Sequence, residues 1–172
     1  MAARFNHRFG PYFNIPEPFI PEVGARIMSL DDASKKMSKS NPVEGSYIAM
    51  LDTPDQIRKK ISRATTDSGA EVVYDPSAKP EVSNLMSIYS ECAGVSLQEV
   101  QSRFEGKMYG AFKKELGEVV VAALEPLQNR YYEIRQTGEI HDILAKGAEQ
   151  AQKTAAQILD GVKDKMGFLA PK

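Results

Sequence analysis

The sequence predicts a mainly α-helical chain, and three observations support this fold class. Capping boxes precede two apolar periodic segments, long apolar stripes with helical spacing fill the second half, and strand-like alternation is confined to one short segment. The 172 residues are 42% hydrophobic and 26% charged, which is typical of a globular chain and not of a disordered one. The length suits one ordinary domain, or a small domain with part of another.

The N-terminal part is predicted to be extended or looped. Residues 10–24 read GPYFNIPEPFIPEVG and contain four prolines, each of which removes a backbone donor and restrains the residue before it. The following GARIMSL, residues 24–30, predicts a short strand with Ala25 and Ile27 on one side. The strand leads into DDASKKMSKSNP, residues 31–42, whose polar, turn-favouring composition predicts an exposed loop that carries lysines.

Two capping boxes mark the first helices beyond this loop. Thr53-Pro54-Asp55-Gln56 predicts a helix that runs to about residue 63, and Ser96-Leu97-Gln98-Glu99 predicts a second one that stops near Gly106. Between them, an apolar stripe of Leu85, Ile88 and Cys92 predicts a helix that ends at Gly94. Residues 72–74 fit either a single short strand or a loop.

Two long helices are predicted to complete the chain. Apolar residues recur with helical spacing from Ala111 to about Gln136, in a segment that Pro126 should kink and Gly138 should end. A last helix, from about Ile140 to Met166, carries alanines that permit close approach to a neighbouring helix. The C-terminal part is therefore predicted to be a helical bundle.

Composition excludes several kinds of protein. No apolar stretch reaches the length of a membrane span and the N-terminus lacks the apolar core of a signal peptide, so the expected location is cytoplasmic. Cys92, His7 and His141 give no metal-ligand spacing, so no metal site is expected. The net charge of −1 argues against a general nucleic-acid coat, so any phosphate ligand requires a local basic patch.

The lysine loop is the strongest candidate for such a patch. A run of charge is most often solvated surface, but here the order of residues is specific: positions 36–40 spell KMSKS, the second signature sequence of class I aminoacyl-tRNA synthetases. Together with GARIMSL, RATTDS, YDPSAKPEVSNL and FEGKMYGAFK, the chain resembles the C-terminal half of the bacterial tryptophanyl-tRNA synthetases over essentially its whole length. Ser34, Asn41 and Thr65 depart from the pattern without removing a group that the signature needs.

This resemblance implies a specific division of the chain. Residues 1–50 would be the end of a class I Rossmann-type catalytic domain with the KMSKS loop, and residues 51–172 an α-helical domain on the anticodon side. The first class I signature and any glycine-rich nucleotide motif are missing from the sequence. We therefore expect a fragment of an enzyme, with the tryptophan pocket in the other half and with no activity of its own.

The implied reaction is ATP-dependent activation of tryptophan to tryptophanyl-adenylate and transfer to its tRNA. ATP with Mg²⁺ is the implied substrate complex, and tRNA(Trp) and a homodimeric parent are the implied partners. Lys36 and Lys39, as mobile point charges, would hold the β- and γ-phosphates, which makes them the candidate catalytic residues. Met37 would contact the adenine or brace the loop, and Ile27 would meet the adenine edge, although its residue type suits a strand core position about equally well. The hydroxyl or N–H groups of Ser38 and Ser40 would complete the ATP site.

Other charged features carry less information. Lys35 is expected to be a solvated neighbour of the signature, and Thr66-Asp67-Ser68 to form a turn at the end of a helix. The basic segment Arg58, Lys59, Lys60 and Arg63 is expected to face solvent rather than RNA. Basic residues and tyrosines at 107–135 lie where the family binds the anticodon, although tyrosines on the apolar face of a bundle helix are more often core residues. An alternative function for the chain alone is a helical RNA- or protein-binding module.

Overall fold

Six helices form the regular structure of the computed structural model, which describes residues 1–21 and 24–168. A single 3₁₀ turn, Glu44–Ser46, lies between the first two helices. Among the described residues, no helix is long and apolar enough to cross a membrane. The helices are α1 (Ala2–Phe9), α2 (Pro54–Arg63), α3 (Pro80–Ala93), α4 (Leu97–Arg103), α5 (Tyr109–Thr137) and α6 (Ile140–Met166).

Local capping signals set the start of α2 and α4, as the sequence predicts. The Thr53 hydroxyl accepts from the Gln56 N–H at 3.3 Å, and the Gln56 side chain accepts from the Thr53 N–H at 2.8 Å. Ser96 and Glu99 form the same reciprocal pair. Each box satisfies amide donors that a helix start otherwise leaves unpaired.

The other helices match the predictions to different degrees. The α3 helix ends at Gly94, whose φ of 65° is left-handed, and α6 has the predicted bounds. The α5 helix extends through Pro126 as one element. Residues 72–74 are a loop. The α1 helix was not predicted, because no side-chain cap marks its start, although Ala2, Phe5 and Phe9 recur with helical spacing.

The chain divides into two compact units. One contains residues 1–19 and those from 132 onward, and the other contains residues 20–131. In the first unit, Asn6 accepts from the amides of Tyr12 and Phe13 and donates to the Phe13 carbonyl. The helix α6 has no buried residue among those described. The predicted domain boundary at residue 50 lies within the second unit and stays a prediction.

The second unit holds the hydrophobic core. Three rings from α3, α5 and the end of α4 meet there: the Phe104 and Phe112 centroids are 5.0 Å apart, and those of Tyr89 and Phe104 are 5.6 Å apart. Ile57 and Ile61 of α2 are fully covered, and Leu30, which precedes the lysine loop, is 2% exposed. The base of the loop is therefore part of the core.

The predicted fold class is wrong in its first part. No strand element occurs among the described residues, and the only pairing of that kind is an isolated antiparallel bridge between Met28 and Lys36. This architecture does not support the predicted end of a Rossmann-type domain followed by an anticodon-side domain. The described part of the chain is all-helical apart from its loops.

Hydrogen bonding of residues 27–30 explains why GARIMSL does not join a sheet. The Met28 N–H donates to Asn84 Oδ1 at 2.8 Å, and Asn84 Nδ2 donates to the Met28 carbonyl at 2.9 Å. The Leu30 N–H donates to the Ser46 carbonyl, and the Leu30 carbonyl accepts from Thr65. Because an amide side chain and loop residues satisfy these groups, they are not available to a neighbouring strand.

Candidate functional site

The candidate site is the lysine loop, residues 31–42, and two backbone hydrogen bonds close its base. The Ser29 N–H donates to the Lys35 carbonyl at 2.8 Å, and the Met37 N–H donates to the Ile27 carbonyl at 3.0 Å. These bonds flank the bridge between Met28 and Lys36. Since Asn84 holds both backbone groups of Met28, helix α3 positions the base of the loop.

The structure brings Ile27 and Met37 together. Both are half-buried, both pack against the core, and their backbones are joined directly by the Met37 N–H. Their position explains why an apolar residue is suitable at each point, whatever else they contact. These contacts fit the core position that the sequence allows at Ile27 and the bracing role that it allows at Met37, and an adenine contact of either residue stays a prediction.

The loop tip is exposed and held by local bonds. Lys36, Ser38, Lys39 and Ser40 are all exposed. The Asn41 N–H donates to the Ser38 carbonyl at 3.1 Å, and the Ser40 N–H donates to Ser38 Oγ at 3.3 Å. The Asn41 side chain in turn accepts from the Val43 N–H at 3.0 Å. These are short-range turn contacts, so the tip has few constraints beyond its own sequence.

The three lysines differ in their electrostatic surroundings. Lys35 Nζ lies 2.7 Å from Asp32 Oδ2, whereas neither Lys36 nor Lys39 makes a side-chain ion pair or hydrogen bond with the described part of the chain. Hydrogen bonds from Lys35 and then Ser34 lower the pKa of Asp32 to about 2. The same pair raises the pKa of Lys35. The uncompensated positive charge of the loop is therefore that of Lys36 and Lys39.

Sequence reasoning missed two residues that shape this site. Asp32 stands three residues before Lys35, a spacing that signals an ion pair, and it also accepts from the Ser34 hydroxyl at 2.6 Å. Asn84 lies 56 residues from Met28, and nothing in the sequence links an asparagine on a helix to a distant backbone segment.

The Thr66-Asp67-Ser68 turn has the predicted turn bond and a tertiary role as well. Asp67 Oδ1 accepts from the Gly69 N–H at 2.6 Å, and the Tyr109 hydroxyl donates to the same carboxylate at 2.8 Å. Lys79 Nζ lies 3.3 Å from Asp67 and 2.9 Å from the Tyr109 hydroxyl. Tyr109 is buried, so of the tyrosines assigned to the anticodon region this one packs inside the protein.

The chain resembles known proteins over most of its length. Residues 1–125 match the family model of tRNA synthetases class I (W and Y). The tryptophan-tRNA ligase of Bacillus subtilis (strain 168) is 50% identical over 168 residues, which are 98% of this chain and 51% of that protein. The tryptophan-tRNA ligase of Halalkalibacterium halodurans is 51% identical with the same coverage.

Solved structures agree with these relatives. The crystal structure of tryptophanyl-tRNA synthetase from Mycoplasma pneumoniae superposes with a TM-score of 0.88 at 28% identity, over 98% of this chain and 51% of that one. The enzyme from Campylobacter jejuni, complexed with ADP and tryptophan, gives a TM-score of 0.62 at 29% identity, over 97% of this chain and 51% of that one.

The chain spans about half the length of the relatives it matches. This share gives the length of the match and not its position, so these similarities do not support the predicted assignment to the C-terminal half.

Proposed function

Because the chain belongs to the tRNA synthetases of class I (W and Y), we propose that it is part of a tryptophan-tRNA ligase and supplies that enzyme's phosphate-binding lysine loop. The observation that carries this proposal is the unaltered KMSKS sequence, in which Lys36 and Lys39 are exposed and unpaired within the described residues while Lys35 is held by Asp32. Tryptophan rather than tyrosine is proposed because the relatives at about 50% identity are tryptophan enzymes.

The proposed reaction has two steps. A carboxylate oxygen of tryptophan attacks the α-phosphorus of ATP, and the bond to the oxygen that bridges the α- and β-phosphates breaks, which releases pyrophosphate. A ribose hydroxyl at the end of tRNA(Trp) then attacks the adenylate carbonyl, AMP leaves, and the hydroxyl proton goes to solvent. ATP enters as its magnesium complex, which is a substrate. Binding of ADP and tryptophan by the Campylobacter jejuni enzyme supports this choice of substrates.

Lys36 and Lys39 act on the charge of the leaving group. Negative charge builds on the β-phosphate as the bond to the α-phosphate breaks, and two ammonium groups directed at the β- and γ-phosphates stabilise it. Ser38 and Ser40 add hydroxyl or N–H donors, and Met37 and Ile27 provide apolar contact for the adenine. We call Lys36 and Lys39 together the phosphate clamp. Lys35 is not part of this clamp, because Asp32 Oδ2 lies 2.7 Å from its ammonium group and compensates its charge.

The remaining features are proposed on the resemblance alone. The parent enzyme is expected to be a cytoplasmic homodimer, and this chain by itself is expected to be inactive.

The test uses the complete enzyme that contains this chain. Lys36→Ala and Lys39→Ala should each lower the rate of tryptophan activation on the order of 10²-fold, about 2.7 kcal/mol, with a much smaller effect on ATP affinity. Lys35→Ala is the matched control and should cost far less. Single-turnover rates and ATP dissociation constants separate the two effects.

Two results would contradict the clamp. One is a loss with Lys35→Ala as large as that with the other two variants. The other is a change in ATP affinity alone, with the chemical step intact.

A further inference from the structure

Asn84 is a buried polar residue on a closely packed turn of α3. It is 7% exposed, and the residues on either side of it, Val82, Ser83, Leu85 and Met86, are covered more completely still. Burial of an amide costs folding free energy unless its groups are hydrogen-bonded. The packing of this turn also leaves the side chain little freedom, so the direction in which its amide points is fixed.

The side-chain amide of Asn84 binds both backbone groups of one residue, Met28. Oδ1 accepts from the Met28 N–H at 2.8 Å, and Nδ2 donates to the Met28 carbonyl at 2.9 Å. An amide that accepts from and donates to the same residue takes the place of a neighbouring strand. A carboxylate of the same size could accept from the N–H but could not donate to the carbonyl.

Lys36 lies on the other side of Met28. These two residues form the antiparallel bridge, and the residues that flank them make its two hydrogen bonds, at 2.8 and 3.0 Å. In such a pair, the N–H and carbonyl of the paired residue itself point away from its partner. The backbone groups of Met28 therefore point away from Lys36, and Asn84 holds them from the opposite side.

The second lysine of the phosphate clamp is not held in this way. Lys39 lies in a turn that is closed by the bonds of the Asn41 and Ser40 N–H groups to Ser38. Within residues 1–21 and 24–168, no hydrogen bond links this turn to α3. The backbone position of Lys36 thus depends on α3, and that of Lys39 depends on its own turn.

We propose that Asn84 is a positioning residue for the activation of tryptophan and that it acts on Lys36 through Met28. This inference rests on the proposed function, because it concerns the cation that stabilises the leaving pyrophosphate. A charge that acts in the transition state must already be in place, and a displacement of about 1 Å can slow a reaction on the order of 10²-fold. Loss of the amide frees the segment at Met28 from α3 and lets the backbone of Lys36 move with it.

The expected loss of rate has an upper limit. Because Asn84 acts through Lys36, Asn84→Ala cannot cost more than the loss on the order of 10²-fold that is expected for Lys36→Ala. Residues that orient a functional group from behind typically contribute about 10- to 100-fold. We therefore expect the single-turnover rate of tryptophan activation to fall on the order of 10-fold, with little change in the dissociation constants of ATP and tryptophan.

The test uses the complete enzyme that contains this chain. Asn84→Asp is a second variant of nearly the same shape, and it should also slow activation because it lacks the donor to the Met28 carbonyl. Ser90→Ala is the matched control, since Ser90 is also 7% exposed on α3 but its hydroxyl donates to the Val95 carbonyl. It should lose stability and keep the activation rate. Each variant is assayed at a temperature at which circular dichroism shows it to be folded.

A double-mutant cycle separates positioning of Lys36 from a general structural effect. When Lys36→Ala is already present, Asn84→Ala should lower the activation rate no further. When Lys39→Ala is present instead, Asn84→Ala should lower the rate about 10-fold again. A general loss of stability would affect both lysine variants alike.

Several results would overturn the proposal. Asn84→Ala or Asn84→Asp could activate tryptophan at the unaltered rate or change only the affinity for ATP. Ser90→Ala could slow activation as much as Asn84→Ala does, or Asn84→Ala could have the same effect in both lysine variants. If Lys36→Ala lowers the rate and Asn84→Ala is not coupled to it, the role of Asn84 fails alone. If Lys36→Ala leaves the rate unchanged, the phosphate clamp fails and the role of Asn84 fails with it.

Discussion

Replacement of Asn84 by alanine tests whether α3 holds the base of the lysine loop. Asn84 is 7% exposed, and its amide makes two hydrogen bonds to Met28, one to the N–H at 2.8 Å and one from Nδ2 to the carbonyl at 2.9 Å. Asn84→Ala removes both partners and leaves the two backbone groups of Met28 half-buried. Neither backbone group of Met28 makes another hydrogen bond within the described residues.

The expected loss follows from these two groups. An unsatisfied buried donor or acceptor costs about 1–3 kcal/mol of folding stability. Each backbone group of Met28 should cost an amount at the low end of this range, because water can reach the half-buried residue in part. Alanine returns about 0.5 kcal/mol through its better helix propensity. Two groups at this low end cost about 2 kcal/mol together, so the net destabilisation should be about 1.5 kcal/mol, which for a chain of this size lowers Tm by about 3–6 °C.

Urea unfolding of the chain and amide hydrogen exchange at Met28 provide the measurement. Asn129→Ala is the matched control, because Asn129 is exposed on α5 and its replacement should change stability only by the helix-propensity gain of about 0.5 kcal/mol. If Asn84→Ala and Asn129→Ala had the same unfolding free energy, or if the Met28 amide kept its protection in Asn84→Ala, the anchoring role would be refuted.

Two further predictions concern pairs of charged and polar groups. The pKa of Asp32 is lowered to about 2, so the stability that its pair with Lys35 contributes is complete above the ordinary value of 3.8 and is lost as pH falls towards 2. Lys35→Met should raise the pKa of Asp32 in carboxyl-carbon NMR titrations, and Lys36→Met should not. Tyr109→Phe keeps the buried ring but removes the hydroxyl between Asp67 and Lys79, which should cost about 1–2 kcal/mol in urea unfolding, while Tyr74→Phe at an exposed site should have no comparable effect.

Helix starts are predictable here because their signals are local. Thr53 with Gln56 and Ser96 with Glu99 act within one helical turn, so each pair has the same geometry in nearly any fold. The segment at Met28 is different. Its alternation of residue types suits a strand, but its backbone groups are satisfied by Asn84, 56 residues away, and this tertiary contact decides against a sheet.

The candidate site also has a part that is predictable from a local motif and a part that depends on tertiary contacts. The order of residues in KMSKS is enough to single out Lys36 and Lys39, but not to place them relative to the core. The backbone bond between Met37 and Ile27 and the burial of Leu30 depend on the packing of loop residues against α2 and α3. Such packing depends on many residues that are distant in sequence, and a short motif cannot predict it.

The two unpaired lysines of the loop also differ in how firmly the chain holds them. Lys36 stands in the bridge opposite Met28, which Asn84 anchors, whereas Lys39 follows a turn that only neighbouring loop residues close. A triphosphate that engages both would therefore meet one cation on a fixed backbone and one on an adjustable backbone. Ordering of residues 38–41 would cost conformational entropy at Lys39 and little at Lys36. For the same electrostatic gain, Lys39 should therefore contribute less than Lys36 to the affinity for ATP in the ground state. A larger share of its contribution should appear in the rate of activation, because charge on the leaving group is greatest in the transition state.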